Sequence, residues 1–419
     1  MKAPMMKLMA AIAAVATNVT LSALAATQLT LNNGDTLTGV YEDYEITIAA
    51  GATVTFNNAT VTHTSGDGRA AIDCAGNATI VLAEGSVNGV TNTVNSCAAI
   101  HPATNATLTI RGSGSLDAYS SGDYGAGIGA ASARSNSSPY PCGNIVIEGG
   151  TITTQGGSCG AGVGAAAWSS PCGDITITGN AVVTASSGQY AAAIGASSDS
   201  SPCGNITISG NASVTAKKDA YQNAAGIGAC HSSPCGNIVI DTTGTVDARG
   251  SYSAAIGASY ESTGTCGDIS IMNGTIFADG GDRCSGIGAT FAADSGSILI
   301  TGGTITAEGE TDGAGGGSAT VGTVTISPQL ERYDYLDGAI VVLTHGGMEQ
   351  ITPVLTTGGA ADWYVEGEEG LEPGAWRSGA IGDSANTWLK IAVSKPCKVY
   401  FRWKVSSEGG YDYLQGLRI

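Results

Sequence analysis

The hexapeptide Cys142-Gly143-Asn144-Ile145-Val146-Ile147 recurs along the chain and decides the fold. Further copies, with Asn or Asp in the third place, begin at Cys172, Cys203, Cys235 and Cys266, so the spacings are 30, 31, 32 and 31 residues. A sixth copy begins at Ser295 and keeps Ile298-Leu299-Ile300 without the cysteine. A fixed period in this range is typical of repeat proteins in which each copy forms one turn of a solenoid.

A second motif recurs with the first, and consists of a small residue followed by Ile or Val. The aliphatic members are Ile72, Ile100, Ile128, Val163, Ile194, Ile227, Ile256 and Ile287. Each repeat therefore holds three short strand candidates separated by turn residues, and helical periodicity is absent. Three strands without a hairpin partner in their own repeat favour a coil that pairs with the next coil.

Stacked coils turn each repeated residue into a column along the axis. In the Ile-x-Ile block the two isoleucines share one face of the strand and point into the core, because strand side chains alternate. The fold class predicted is therefore all-β, a right-handed parallel β-helix over residues 27–327 with coils of about 31 residues. A β-sandwich is the alternative, but it has no need to hold this register over five repeats.

Two further columns follow from the same register. An Asn/Asp column, whose members can hydrogen-bond along the axis, comprises Asn144, Asp174, Asn205, Asn237 and Asp268. A cysteine column comprises Cys142, Cys172, Cys203, Cys235 and Cys266. Neighbouring coils about 4.8 Å apart place its Cα atoms within disulfide range. Pairs such as Cys142–Cys172 and Cys203–Cys235, or a stack of buried thiols, both remain open.

The two ends of the chain differ from the repeats. Residues 1–26 carry Lys2 and Lys7, an apolar run and Ala23-Leu24-Ala25, the pattern of a cleaved signal peptide. We therefore expect a secreted or cell-surface protein that does not span the membrane after cleavage. Residues 328–419 lose the repeat and hold four of the five tryptophans. They predict a small β-sandwich-like domain, of which the sequence is expected to contain only part.

The charge balance limits the partners. The chain has 35 acidic and 17 basic side chains, and a formal charge of −18 at pH 7. Such a surface repels nucleic acid, anionic membranes and polyanionic glycans. We expect a monomer that binds no nucleic acid.

The Gly-Ala-Gly-Ile-Gly step, together with Cys-Gly-Asn-Ile-x-Ile and Gly-Gly-Thr-Ile-Thr, resembles the glycine-rich repeats of secreted bacterial β-helix proteins with a pectate-lyase-like fold. Some of these are called carbohydrate-binding domain-containing proteins. The resemblance covers roughly residues 50–327 and implies the fold more strongly than the function. Phe401-Arg402-Trp403 and Tyr411-Asp412-Tyr413 resemble the first half of a jelly-roll module of bacterial surface proteins.

Aromatic side chains in the loops are the candidate binding residues. Tyr124, Tyr190 and Tyr252 each stand four residues before the aliphatic residue of the third strand, in every second coil. Their step is about 10 Å, close to the disaccharide repeat of an extended β-glycan. Trp168 and Tyr260 stand on a second set of loops, and flat rings with polar neighbours suit sugars. The alternative is that these rings only cover loop edges.

Catalysis is less well supported by the sequence. A lyase needs a basic residue beside an acidic calcium cluster, and a hydrolase needs paired carboxylates; neither is seen, and no catalytic residue is assigned. Calcium is the one ion considered, at Asp279 and Asp282, although solvated turns explain these residues better. The function predicted is non-catalytic binding of a polysaccharide or cell-surface glycan. An adhesin or structural stalk with a protein partner is the alternative, and a lyase or hydrolase is third.

Overall fold

The computed structural model describes a chain built from β-strands, with no helix among the residues it describes. These are residues 26–65, 68–132, 139–218, 224–260, 263–281, 284–290, 293–310, 312–315, 321–335, 340–344, 354–361, 363–365, 376–378 and 387–392. The predicted signal peptide, apart from residue 26, lies outside them.

Each coil contributes strands to three columns, in which every strand pairs in parallel with the strand one coil further on. The first column holds the Ile-x-Ile strands. These are Ala78–Leu82, Thr107–Gly112, Asn144–Ile147, Ile175–Ile177, Ile206–Gly210, Ile298–Ile300 and Val324–Ile326. The second column follows it. Its strands are Val87–Asn92, Ser115–Ser120, Thr151–Gln155, Val182–Ser187, Ser213–Lys218 and Thr304–Glu308.

Four longer strands run through both of these columns and join them into one sheet. They are Thr36–Glu42, Thr53–His63, Ile238–Arg249 and Ile269–Asp279. The third column is a separate sheet of 11 strands. It consists of Thr27–Leu31, Tyr44–Ile48, Ile72–Cys74, Ile100–His101, Ile128–Gly129, Val163–Gly164, Ile194–Gly195, Ile227–Gly228, Ile256–Gly257, Ile287–Gly288 and Ala314–Gly315. The predicted parallel β-helix is thus confirmed.

The isoleucine columns form the core, as the alternation predicted. Ile175 pairs with Ile206, which pairs with Ile238, and all three are fully buried. Each such side chain stabilises the fold by roughly 1.5–3 kcal/mol through removal of its surface from water. Ile326 on the last parallel rung is only half buried.

The Asn/Asp column joins the coils through its side-chain oxygens. Oδ1 of Asp174 accepts the backbone N–H of Asn205 at 2.8 Å, and Oδ1 of Asn205 accepts that of Asn237 at 2.9 Å. Only an acceptor is required, which explains why both Asn and Asp occur at this place. A Cβ on Gly204 would lie 2.4 Å from Oδ1 of Asp174, so the preceding glycine leaves room for this bond.

The end of the coils is followed by antiparallel strands. Ile340–Thr344 pairs with Thr304–Glu308 on one side and with Glu331–Tyr335 on the other. Contacts divide the chain into two units, residues 1–346 and 347–419. Residue 327 therefore marks the end of the parallel coils, and the strands that follow it still belong to the first unit.

The second unit is described in part. Val354–Gly359 pairs with Thr387–Ala392, and Trp363–Val365 pairs with Trp376–Ser378, both antiparallel. The segments that resemble a jelly-roll module lie outside the described residues. The sandwich-like arrangement of this domain remains a prediction.

Candidate functional site

Narrow hairpins project from the coil between the third column and the next Ile-x-Ile strand. Antiparallel bridges join Ala166 to Ser170 and Ser197 to Ser201 at their bases. Their tips hold non-glycine residues in the left-handed region, with φ of +63° at Trp168 and +56° at Ser169, and +59° and +62° at the equivalent Asp199 and Ser200. These tips form an edge parallel to the helix axis, which we call the aromatic edge.

Trp168 is the most exposed aromatic residue at this edge. Its side chain is 53% exposed, and its ring meets that of Tyr124 edge-to-face, with centroids 6.2 Å apart. A bulky residue with positive φ is a conformational outlier that costs on the order of 1–3 kcal/mol. Such strain clusters at binding and catalytic sites, so the position of Trp168 points to a function.

Tyr190 repeats this arrangement two coils further on. Its ring meets that of His231, on the hairpin of the following coil, at 5.9 Å and 67°. Its backbone N–H donates to the carbonyl of Ser158, and its carbonyl accepts from the N–H of Ser198, at 3.0 Å each. The backbone of Tyr190 is therefore held by the preceding coil and by the hairpin of its own coil, whereas its ring, like that of Tyr124, meets the hairpin one coil beyond.

The other predicted binding residues lie on the same edge. Tyr252 is half-buried and has a φ of +48°, a second bulky residue in the left-handed region, and Tyr260 is half-buried as well. Ile128 and Ile194 both pair with Val163, which places Tyr124 and Tyr190 two coils apart. The register between Ile194 and Ile256 places Tyr252 a further two coils on. The predicted binding residues are Tyr124, Trp168, Tyr190, Tyr252 and Tyr260. The structure describes one ring contact within this set, between Tyr124 and Trp168.

A column of serine hydroxyls sets the base of the hairpins, and it was not recognised from the sequence. Oγ of Ser170 accepts the N–H of Tyr140 at 3.1 Å, and Oγ of Ser201 accepts the N–H of Ser170 at 3.0 Å. Oγ of Ser233 continues the column, because it accepts the N–H of Ser201 at 2.9 Å. The recurring Ser-Pro-Cys triplet is the signal that could have revealed it.

A polar cluster around the buried His101 was also missed. His101 Nδ1 lies 2.8 Å from Oδ1 of Asp73, its partner in the third column. His101 Nε2 donates to the carbonyl of Pro141 at 3.2 Å, since a carbonyl oxygen only accepts. Tyr140 stacks on the imidazole with centroids 4.2 Å apart. Both ring nitrogens are therefore engaged, and the arrangement holds Tyr140 in place.

Asp73 and His101 stand at a position that is Thr47 in the preceding coil and glycine in the coils from Gly129 onward. The residue after the aliphatic one is Asp73 and then His101 in two successive coils, and Gly129, Gly164 and Gly195 in the next three. Comparing this one position between repeats would have shown that the two polar residues are neighbours. They lie 28 residues apart in sequence, which concealed the pair.

A second buried pair lies at the start of the coils. Nε2 of His63 is 3.4 Å from Oε1 of Glu45, and Nε of Arg69 is 3.9 Å from Oε2 of the same carboxylate. His63 is fully buried, and neither of its ring nitrogens has a hydrogen-bond partner. Glu45 also accepts a hydrogen bond from Gln28. Glu45 and His63 are buried in the coil, whereas the Arg69 side chain is 55% exposed.

Tyr140 gives a prediction for alkaline pH. Burial, followed by the negative charge of Asp73, raises its pKa from 10.0 to about 12. A folded-state pKa above the unfolded value means that this phenol contributes stability below pH 10, which is lost as the pH rises toward 12.

We expect Asp73→Asn to lower the pKa of Tyr140, measured by phenolate absorbance with Tyr140→Phe to assign the step. Asp117→Asn is the matched control, because Asp117 acts on Tyr119; an unchanged Tyr140 step in Asp73→Asn would contradict the assignment.

The calcium hypothesis gains no ligand set in the part of the chain that is described. No group of three or more His, Cys, Asp or Glu side chains there could hold a metal ion. Asp279 ends a second-column strand and has polar partners, whereas Asp282 lies outside the described residues. Calcium binding at these residues stays a prediction.

The cysteine column consists of thiols. The five members of the column are buried and carry free thiols. Parallel bridges join Cys172 to Cys203, Cys203 to Cys235 and Cys235 to Cys266. Of the two alternatives that the sequence left open, this structure contains the buried thiols.

Comparison with known proteins supports the fold. A family model described as a β-helix repeat matches residues 108–132 and 175–198. No curated protein matches the chain, and neither does any solved structure. Among the described residues, no helix is long and apolar enough to cross a membrane. The matched repeats and the parallel coils together identify the chain as a parallel β-helix repeat protein.

Proposed function

We propose that this protein is a non-catalytic β-helix that binds polysaccharide along the aromatic edge. The observation that carries the proposal is Trp168, an exposed indole held at a φ of +63° against the ring of Tyr124. Folding alone would favour glycine or asparagine at such a position. Retention of an exposed aromatic ring at this conformational cost is best explained by a ligand that stacks on it.

The spacing of the edge indicates an extended ligand. Tyr124, Tyr190 and Tyr252 recur every two coils, or about 10 Å, which is close to the disaccharide repeat of a β-linked glycan. Sugar rings present C–H groups to aromatic faces, and their hydroxyls need polar neighbours. Asp123 and Asp199 are exposed beside these rings and supply acceptors.

The charge of the chain favours neutral glycans over polyanionic ones. At −18 the protein repels a uronate or sulfate polymer unless a cation bridges them. In line with the signal-peptide pattern, we place the protein outside the cytoplasm or on the cell surface. The ligand would then be an extracellular or cell-surface polysaccharide, bound by a monomer.

The polar clusters support a binding role more than a catalytic one. His101 has both nitrogens engaged, and the raised pKa of Tyr140 keeps its phenol protonated at neutral pH. A general base must accept a proton from its substrate near the working pH. We therefore infer that Asp73 and His101 position Tyr140.

Glycan binding before and after removal of the tyrosines tests this proposal. The triple variant Tyr124→Ala, Tyr190→Ala and Tyr252→Ala is compared with the intact chain on cellulose, xylan and pectin, by depletion from solution and on a glycan array. We expect binding to a neutral β-glycan that the triple variant weakens at least tenfold, about 1.4 kcal/mol or more. Tyr119→Ala, on the second column, is the matched control and should bind normally. Equal binding by the triple variant, or binding to no glycan, would reject the proposal and favour an adhesin with a protein partner.

A further inference from the structure

We propose that the cysteine column is an oxidisable site, in which Cys235 and Cys266 form a disulfide between successive coils. Their Sγ atoms are 3.2 Å apart, and a parallel bridge places the two residues on neighbouring strands. Strand spacing of about 4.8 Å puts such Cα atoms within the 4.4–6.8 Å range of disulfides. The proposal rests on these positions alone and is independent of glycan binding.

The orientation of the thiols selects this pair among the neighbours. Sγ of Cys203 turns toward the preceding coil, where it lies 3.7 Å from the carbonyl of Gly173, and so away from Cys235. Sγ of Cys266 also turns backward, 3.8 Å from the carbonyl of Gly236, whereas Sγ of Cys235 turns forward to meet it. The column is therefore interrupted between Cys203 and Cys235. The pair Cys203–Cys235, considered from the sequence, is disfavoured.

The other three thiols form a second group. The thiols of Cys142 and Cys203, its neighbours in the column, both raise the pKa of the Cys172 thiol, and its Sγ donates to the carbonyl of Gly143 at 3.8 Å. Cys172 can join only one of these two neighbours, so the column as a whole takes at most two disulfides and retains one thiol. The sulfur of Cys235, together with burial, raises the pKa of the Cys266 thiol well above its usual range. Since the thiolate is the reactive form, the folded column reacts slowly, and the disulfide forms while the coil is still open.

The oxidant is a low-molecular-weight disulfide. A thiolate of one cysteine attacks it and forms a mixed disulfide with release of one thiol, and the thiolate of the second cysteine then displaces the other thiol. Two protein thiols lose two protons and two electrons, one S–S bond forms, and the oxidant is reduced to two thiols.

Peptide mapping after oxidative refolding tests the pairing. The full chain is unfolded with guanidinium and dithiothreitol, refolded with oxidised and reduced glutathione, alkylated, and digested with trypsin without reduction. Cleavage at Lys217, Lys218, Arg249 and Arg283 separates the relevant cysteines. A Cys235–Cys266 bond joins peptides 219–249 and 250–283, whereas a Cys203–Cys235 bond joins peptides 135–217 and 219–249. Fragmentation distinguishes Cys235 from Cys230, which share peptide 219–249.

We expect the Cys235–Cys266 link to be several-fold more abundant than the Cys203–Cys235 link. Oxidation should also raise the Tm, because the bond closes a loop of 31 residues in the unfolded chain. The double variant Cys235→Ser and Cys266→Ser should lose most of this rise in Tm. The matched control, Cys142→Ser, should keep the part of the rise that comes from the Cys235–Cys266 bond. Absence of any link, or a Cys203–Cys235 link of equal or greater abundance, would overturn the proposal.

Discussion

Replacing Gly195 with alanine is expected to destabilise the β-helix by about 3–5 kcal/mol, or to prevent it from folding. Gly195 belongs to the glycines of the third column and has a φ of +136°. A Cβ at this position would lie 2.1 Å from the carbonyl oxygen of Gly228 in the next coil. That oxygen belongs to a paired strand, so the clash forces two coils apart. Guanidinium unfolding followed by circular dichroism measures the loss.

Gly34→Ala separates backbone strain from this clash. Gly34 also has a positive φ, +90°, but no atom lies within 4 Å of the Cβ that it would gain. Its replacement is expected to cost only about 1 kcal/mol, from the conformation of the backbone. Equal free energies of unfolding for Gly195→Ala and Gly34→Ala would contradict this account. They would show that glycine is not required at Gly195 by the close contact between coils.

The second large effect is expected at Trp168, where binding and stability should respond differently. Trp168→Gly and Trp168→Ala both remove the exposed ring, and each should weaken glycan binding about tenfold or more. Glycine relieves the positive φ, whereas alanine retains it. Trp168→Gly should therefore be about 1 kcal/mol more stable than Trp168→Ala. Calorimetric titration measures affinity, and denaturant unfolding measures the free energy of unfolding.

Val182→Ala is the control for the loss of exposed apolar surface. Val182 is 46% exposed on the second column and takes no part in the aromatic edge, so its replacement should leave binding unchanged. Full glycan affinity in Trp168→Gly would show that the indole is not a binding platform. Equal stability of the Gly and Ala variants would show that the left-handed conformation of Trp168 carries no strain.

The regular parts of this fold could be predicted from the sequence because each depends on a residue repeated at one position. Ile206 and Asn205 have equivalents in the neighbouring coils, so their columns are visible as a period. The Asn/Asp column works through one side-chain oxygen and one backbone N–H, and both residue types supply that oxygen. The strands after residue 327 follow no period and were placed outside the β-helix for that reason.

The features that distinguish one coil from another were harder to predict. Asp73 and His101 become neighbours only through the register of short strands, and Tyr140 joins them from a loop that adds residues between two repeats. The tyrosine spacing was visible in the sequence, but the positive φ of Trp168 and Tyr252 was not, because it arises from the geometry of the turns that hold them. The opposite tilts of Cys203 and Cys235 likewise depend on side-chain rotamers.

Affinity as a function of ligand length tests the central claim most directly. Neutral β-linked oligosaccharides of two to eight sugars are titrated into the full chain by calorimetry, with Trp168→Gly in parallel. Tyr124 and Tyr252 are four coils, or about 20 Å, apart, so affinity should increase up to about four to six sugars and then level off. Trp168→Gly should lower it at every length. An affinity that does not depend on length, or one that is the same in Trp168→Gly, would contradict binding along the aromatic edge.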